Sequence, residues 1–272
     1  WGLSVNLTKT KAMVYRNGGI IKRIEKFYFN NKEIECVSYY KYLGMMMSTR
    51  LSWSPAQKYL ASQAERACYT LNEILYSCDY SVGIGIKLFD ACVLPILTYG
   101  SELFAANVHD CLETVKLGFY KKLLGVGRNS NNEAVRGESG QYRIYVSCVM
   151  KCIKYWFKLL SHQEGTLLNS CYKMLFNSCE NGKPNWAHGI KQLLSKYGFY
   201  DIWINQGTPN VELFLCNFEQ RMRDCEMQTW AAAITNAPKL FYHCMFKTKF
   251  EAEPYLYMNL HEKQKNPPIY QI

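Results

Sequence analysis

The spacing of apolar positions changes character near residue 54. Before it they fall in short alternating runs, and after it they recur every three or four residues almost to the end. Phe27-Tyr28-Phe29 and Ile34-Glu35-Cys36-Val37 alternate with period two on either side of Asn30-Asn31. Asparagine tolerates positive φ, so this pattern predicts a β-hairpin. Ala12–Arg16 is a short strand candidate ended by Asn17-Gly18-Gly19, and Tyr40–Met46 is another, which together predict a small antiparallel sheet. Val37–Met47, V-S-Y-Y-K-Y-L-G-M-M-M, sets three tyrosines, a lysine and a glycine among apolar residues. That mixture suits a strand whose backbone or aromatic edges meet something outside the core.

Ser54-Pro55-Ala56-Gln57 reads as a helix start, with Ser54 as N-cap, Pro55 at the first helical position and Gln57 completing a capping box. Leu60, Ala64, Ala67, Leu71 and Ile74 follow at helical spacing. Asp79–Gly85 reads as a connection and Ile86–Thr98 as a helix that Pro95 should kink or end, with Gly100 a further break. Leu112–Leu124 is amphipathic, with Lys116, Lys121 and Lys122 assigned to its exposed face. Gly125–Gly140 holds four glycines and is the best internal boundary. In Tyr145–Leu160, Val149, Ile153, Trp156, Phe157 and Leu160 share one face and Lys151, Lys154 and Lys158 the other. The lysine stripe is either a phosphate contact or the solvated back of a buried helix. Thr166–Phe176, Trp186–Lys196 and Glu212–Ile234 are further helical segments, and Phe246–Ile272 should be poorly ordered at its Lys263, Lys265, Pro267-Pro268 tip. The expected fold is α+β, mainly α: a sheet-bearing part over 1–47, a helical part over 48–128 and a helical extension over 129–272.

Charge adds a direction. Residues 1–66 carry eleven Lys/Arg and four acids, so +7 of the total +10 lies there. A basic quarter of this kind points to a polyanionic partner, nucleic acid first, with a merely solvated basic face as the alternative. Cys68, Cys92, Cys148 and Cys152 sit in apolar helical patterns and no CxxC occurs, which reads as a reducing compartment without structural zinc. No run approaches the ~18 apolar residues of a membrane span. The chain opens at Trp1, as a piece of a longer protein would.

Complete catalytic sets are missing: there is no Walker A loop, GxGxxG, HExxH or GxSxG. Glu25, Glu33 and Glu35 are the only acids before Ser54. Glu33 and Glu35 share a strand face and read as solvated, whereas two-metal phosphoryl transfer needs carboxylates converging on ions ~4 Å apart. His109, His162, His188, His243 and His261 are scattered and read as structural or surface residues.

Five strings then carry a family resemblance. G-L-S-V-N-L-T-K-T-K-A-M-V (Gly2–Val14) resembles the segment after the catalytic aspartates in reverse transcriptases of LINE-like, non-LTR retrotransposons. Y-K-Y-L-G (Tyr40–Gly44) resembles the primer-grip hairpin that follows it. L-F-D-A-C-V-L-P-I-L-T-Y-G-S-E (Leu88–Glu102) resembles the thumb helix. K-L-L-G-V (Lys122–Val126) with A-V-R-G-E-S-G-Q-Y (Ala134–Tyr142) resembles the next segment, and Lys239–Leu256 the region before the family's Cys/His motif. The order is the family's, and the strings cover most of the chain. The metal-binding aspartates, the fingers and the Cys/His motif are not in it.

The resemblance implies the end of a palm over 1–47, a thumb over 48–128 and a helical extension over 129–272, all from an RNA-directed DNA polymerase. The parent would use Mg²⁺, held by residues outside this chain, and this chain would hold the duplex without polymerising. Its partners would be the RNA template, the RNA/DNA hybrid, target-site DNA and the upstream fingers and palm of the same polypeptide, in nucleus and cytoplasm, with no membrane. Lys9 matches a lysine that protonates leaving pyrophosphate, with Lys11 the alternative and otherwise a nucleic-acid contact. Lys41, Tyr42, Leu43 and Gly44 match the primer grip, and Lys58 and Arg66 on the first thumb helix would lie near backbone phosphates. A non-enzymatic nucleic-acid-binding remnant and a helical protein-interaction module are the rival readings.

Overall fold

A computed structural model describes residues 5–16, 26–77 and 80–258. The Asn17-Gly18-Gly19 strand end, Glu25, His261 and the Lys263–Pro268 tip lie outside the described residues. The chain is α+β and mainly helical: small antiparallel hairpins near the N-terminus are followed by helices through the rest of the described residues.

The first hairpin pairs β1 (Phe27–Phe29) with β2 (Lys32–Ile34) in the register Phe27 to Ile34 and Phe29 to Lys32. Asn30 and Asn31 turn it with φ of 49° and 59°, the geometry that matches strand twist. The second pairs β3 (Tyr39–Tyr42) with β4 (Met45–Ser48), Tyr39 to Ser48 and Tyr42 to Met45. The expected single strand Tyr40–Met46 is therefore a tight hairpin reversing at Leu43-Gly44. Its apolar pattern hid the reversal, because leucine rarely occupies such a turn. Ala12–Arg16 is not a strand. Ala12 makes one parallel bridge to Cys36, with Ala12 N donating to Glu35 O (3.0 Å) and Val37 N to Ala12 O (2.9 Å), and Arg16 N donates to Thr49 O (2.9 Å). Among the described residues the hairpins form two separate two-stranded sheets.

α1 (Ser54–Ser77) buries Ala56, Leu60, Ala64, Cys68 and Leu71. The expected capping box is not made. Gln57 is buried, its Nε2 donates to Asn107 O (2.9 Å), and its Oε1 accepts from His109 N (2.6 Å). That amide pins the 107–109 turn, a long-range task no local pattern announces. α2 (Val82–Cys92) begins four residues earlier than the periodicity indicated and is followed by α3 (Leu94–Leu97), with Pro95 in its first turn. Gly100, at φ 64°, leads into α4 (Ser101–Phe104). α5 (Asp110–Leu123) is capped by His109, whose Nδ1 accepts from Cys111 N (3.2 Å). α6 (Asn132–Ser139) follows an Asn131 cap and lies inside the glycine-rich stretch.

α7 (Ile144–Leu160) is the centre of the helical assembly. Cys148, Val149, Ile153 and Trp156 have no exposed surface, and Trp156 Nε1 donates to Tyr172 Oη (2.8 Å). α8 (Leu167–Glu180), α9 (Trp186–Lys196), α10 (Tyr200–Ile204) and α11 (Val211–Thr235) pack around it, with side-chain caps from Thr166, Asn185 and Asn210. α12 (Phe241–Phe246) is the last described α-helix, and a short 3-10 turn over Pro254–Tyr257 follows it. One apolar cluster runs from Met45 to Leu256.

Two lysines depart from their expected exposed faces. Lys116 is buried and donates to Tyr142 O (2.6 Å), and burial holds its ammonium below the usual value. Lys151 leaves the α7 stripe for Thr98, donating to its hydroxyl at 2.7 Å, while Lys154 and Lys158 stay exposed. Beside Lys116 lies an ionic network that joins α5, α6, α7 and α11. Arg136 meets Glu113 (2.9 Å) and Glu133 (2.5 Å), Arg143 meets Glu133 (3.1 Å) and Glu226 (3.6 Å), and Glu113 also accepts from Ile144 N (2.8 Å).

Candidate nucleic-acid interface

The second hairpin presents one fully exposed strand, β3, backed by the partly buried β4. Alternation sends Tyr40 and Tyr42 to one face with Met45 and Met47, and Tyr39 and Lys41 to the other with Met46. All four β3 side chains are nevertheless exposed, because only β4 is covered by α1. Tyr42 is 60% exposed and Leu43, at the tip, 73%. Phe27, Tyr28 and Phe29 add a second exposed aromatic run on the neighbouring hairpin.

The tip is held in a costly conformation. Leu43 and Gly44 have φ of 46° and 85°. The left-handed region costs a non-glycine residue about 1–2 kcal/mol, and leucine has no polar side chain to offset that locally. The offset comes from the turn before α4. Tyr99 Oη donates to Leu43 O at 2.7 Å. A Cβ on Gly44 would lie 3.3 Å from the Tyr99 ring, and one on Gly100 would lie 2.9 Å from Met45 Sδ. The T-Y-G of L-P-I-L-T-Y-G is thus a buttress under the hairpin. Tyr99 is the residue that sequence reasoning missed. Its string carried the family resemblance, but a tyrosine beside glycine gives no local sign of a partner 56 positions away.

The other candidates attach to this centre by distinct contacts. Lys9 is exposed at the end of a turn in which Asn6 Oδ1 accepts from Thr8 N (3.1 Å). Its carbonyl accepts from Tyr40 Oη at 3.2 Å, so the first block rests on β3. Lys11 is half-buried and ion-paired with Glu35, and Lys26 with Glu33 at 3.4 Å. Lys41 is hydrogen-bonded to the Tyr59 hydroxyl on α1, with Nζ 4.7 Å from the ring centre. Lys58 and Arg66 are exposed on the same helix. Lys9, Lys41, Tyr42, Leu43 and Gly44 therefore form one neighbourhood, joined to α1 through Tyr59.

Glu33 and Glu35 are each engaged by a lysine, and among the described residues no group of three or more His, Cys, Asp or Glu is placed to hold a metal ion. Burial pushes the Cys68, Cys148 and Cys152 thiols up to about 12, which makes them inert packing groups at neutral pH. Among the described residues no helix is long and apolar enough to cross a membrane. Comparison with protein-family models, with curated proteins and with solved structures finds no match to this chain.

Proposed function

We propose that this chain is the duplex-holding part of an RNA-directed DNA polymerase of the non-LTR retrotransposon type, comprising the end of the palm, the thumb and a helical extension. What supports the reading is a contact between strings that are far apart in sequence. The first block meets Y-K-Y-L-G through Lys9 and Tyr40, and Y-K-Y-L-G meets L-P-I-L-T-Y-G through Leu43 and Tyr99. A primer-gripping hairpin has to be fixed to both the palm before it and the thumb after it, and these two hydrogen bonds tie Y-K-Y-L-G to the segments that this reading takes as palm and thumb.

In this reading the Leu43-Gly44 turn and Tyr42 present backbone and aromatic surface to the primer end. Lys41, Lys58 and Arg66 lie along backbone phosphates, which position a duplex without reading its sequence. Lys9 is the general acid for departing pyrophosphate in this reading, and the Mg²⁺ ligands belong to the rest of the polypeptide. RNA template, RNA/DNA hybrid and target-site DNA are the polyanions it would meet.

The test is titration of the chain with a fluorescent RNA/DNA hybrid across a salt series. Lys41→Glu should weaken binding about tenfold and lower the log–log salt slope by about 0.9 for each phosphate it no longer neutralises, with unchanged circular dichroism. Unchanged affinity would remove the hairpin from the interface. A helical protein-interaction module is the second reading, favoured by the exposed Phe241, Tyr242, Met245 and Phe246 of α12. It requires that no hybrid binding be seen at physiological ionic strength.

A further inference from the structure

Between α1, α5 and the loop that leads to α6 lies a groove of about 580 Å³. Its apolar walls include Cys68, Leu117 and Val126. Its cations are Lys121, Lys122 and Arg128, against a single lining carboxylate, Glu65. Lys121 Nζ donates to Arg128 O at 2.8 Å, which draws the loop over one end. Tyr69 stands at the α1 rim, 64% exposed. Gly118, exposed in the middle of α5, belongs to the lining.

Gly118 is the telling residue. A glycine inside a helix is unfavourable relative to alanine, and a packing need usually accounts for it. Gly83, Gly137 and Gly189 each have such a need, because a Cβ there would come within 3 Å of Tyr257, Trp230 or Ala106. A Cβ on Gly118 would meet nothing within 4 Å. No part of the described chain uses the space that Gly118 leaves open.

We propose that this groove is a second nucleic-acid site, taking a short unpaired stretch of a polynucleotide. A base packs over Gly118 and against Tyr69, and the flanking phosphates lie on Lys121, Lys122 and Arg128. Three cations around apolar walls match the alternation of phosphate and base in a single strand. The volume suits one or two nucleotides and excludes a duplex. The proposed contacts are to base and phosphate, which RNA and DNA strands share. On α1 the rim residue Tyr69 follows Arg66 by three positions, one turn along the helix. The groove therefore opens beside the duplex-holding face, where a strand leaving or entering a duplex would pass.

The experiment measures anisotropy of short fluorescent oligouridylate and oligodeoxythymidylate on the full chain, beside a blunt RNA/DNA hybrid. Gly118→Met sets a side chain into the groove from a Cβ that meets nothing within 4 Å, and it improves helix propensity. It should weaken binding of both single strands at least tenfold, within the ~1–3 kcal/mol ascribed to stacking one base, and leave the blunt hybrid unchanged. Tyr69→Ala should give the same pattern without filling the groove. Lys122→Gln should reduce the single-strand salt slope by about 0.7. Single-strand affinity equal to wild type in Gly118→Met and Tyr69→Ala overturns the site, as does displacement of the oligonucleotide by an equal concentration of a mononucleotide. Single-strand binding without hybrid binding supports the groove and sinks the duplex-holding reading. Hybrid binding without single-strand binding sinks the groove alone.

Discussion

Leu43→Asn separates the stability of the hairpin from its use. Leu43 stands at φ 46° and is 73% exposed, so its side chain buries little and its backbone carries most of the cost. Asn-Gly is the favoured pair for a two-residue turn with both residues at positive φ, and relief of the leucine strain should stabilise the protein by about 1 kcal/mol. The Tyr99 bond goes to the Leu43 carbonyl and survives the change. For a chain of this size that gain raises the melting temperature by about 2–4 °C. The leucine is retained at a cost, and strain of this kind concentrates where a side chain has work to do. If that work is apolar contact with the primer end, removing it should cost about 1–2 kcal/mol of binding, roughly tenfold in hybrid affinity. Thermal melts followed by tryptophan fluorescence and hybrid titrations on one preparation measure both quantities. A variant that is less stable would refute the strain argument, and one that is more stable but binds the hybrid as wild type would refute the contact.

Tyr99→Phe removes only the hydroxyl and should loosen the turn by about 0.5–1 kcal/mol, seen as faster amide exchange at Leu43 through Met46 with the global melt nearly unchanged. Arg136→Ala leaves Glu113 and Glu133 facing each other in a nearly buried site and should destabilise by about 3–5 kcal/mol, read as a shifted urea midpoint with an unchanged slope. His243→Leu tests a pH effect. Burial holds this imidazole below its usual value and outweighs Glu138 and Glu253, which raise it, while Lys247 lowers it further. The unfolded chain then takes up the proton first as pH falls, so wild type should lose stability on acidification below about 6.5, and the variant should lose that part of the slope.

What was readable from sequence divides by range. Trp186–Lys196 was expected as a helix and is α9 with the same limits, and Pro95 breaks its helix as expected. Both depend on local spacing and a local steric rule. Asn30-Asn31 turned its hairpin because asparagine accepts the required φ on its own. The failures are residues whose partners are remote. Gln57 looked like a cap and instead satisfies the 107–109 turn, and Lys116, which looked exposed, is held by the Tyr142 carbonyl. Leu43 is the sharpest case, since the local propensities of Y-K-Y-L-G do not mark a leucine at positive φ, and the Tyr99 hydroxyl that supports it is 56 positions away. Gly118 shows the converse, a glycine whose meaning lies in what the chain does not put beside it.

These two positions share a logic that bears on function. A chain folding for stability alone would use asparagine at 43 and alanine at 118, since both are favoured by local propensity and neither change meets a neighbour in the way. The helices around α7 carry enough buried apolar surface to tolerate both departures. The departures also fall beside one helix, with the hairpin joined to α1 through Lys41 and Tyr59 and the groove opening along α1 at Tyr69. If each is retained for a polynucleotide, duplex at the hairpin and single strand at the groove, a hybrid with an unpaired overhang should bind more tightly than a blunt one. Gly118→Met should abolish that difference and Leu43→Asn should not.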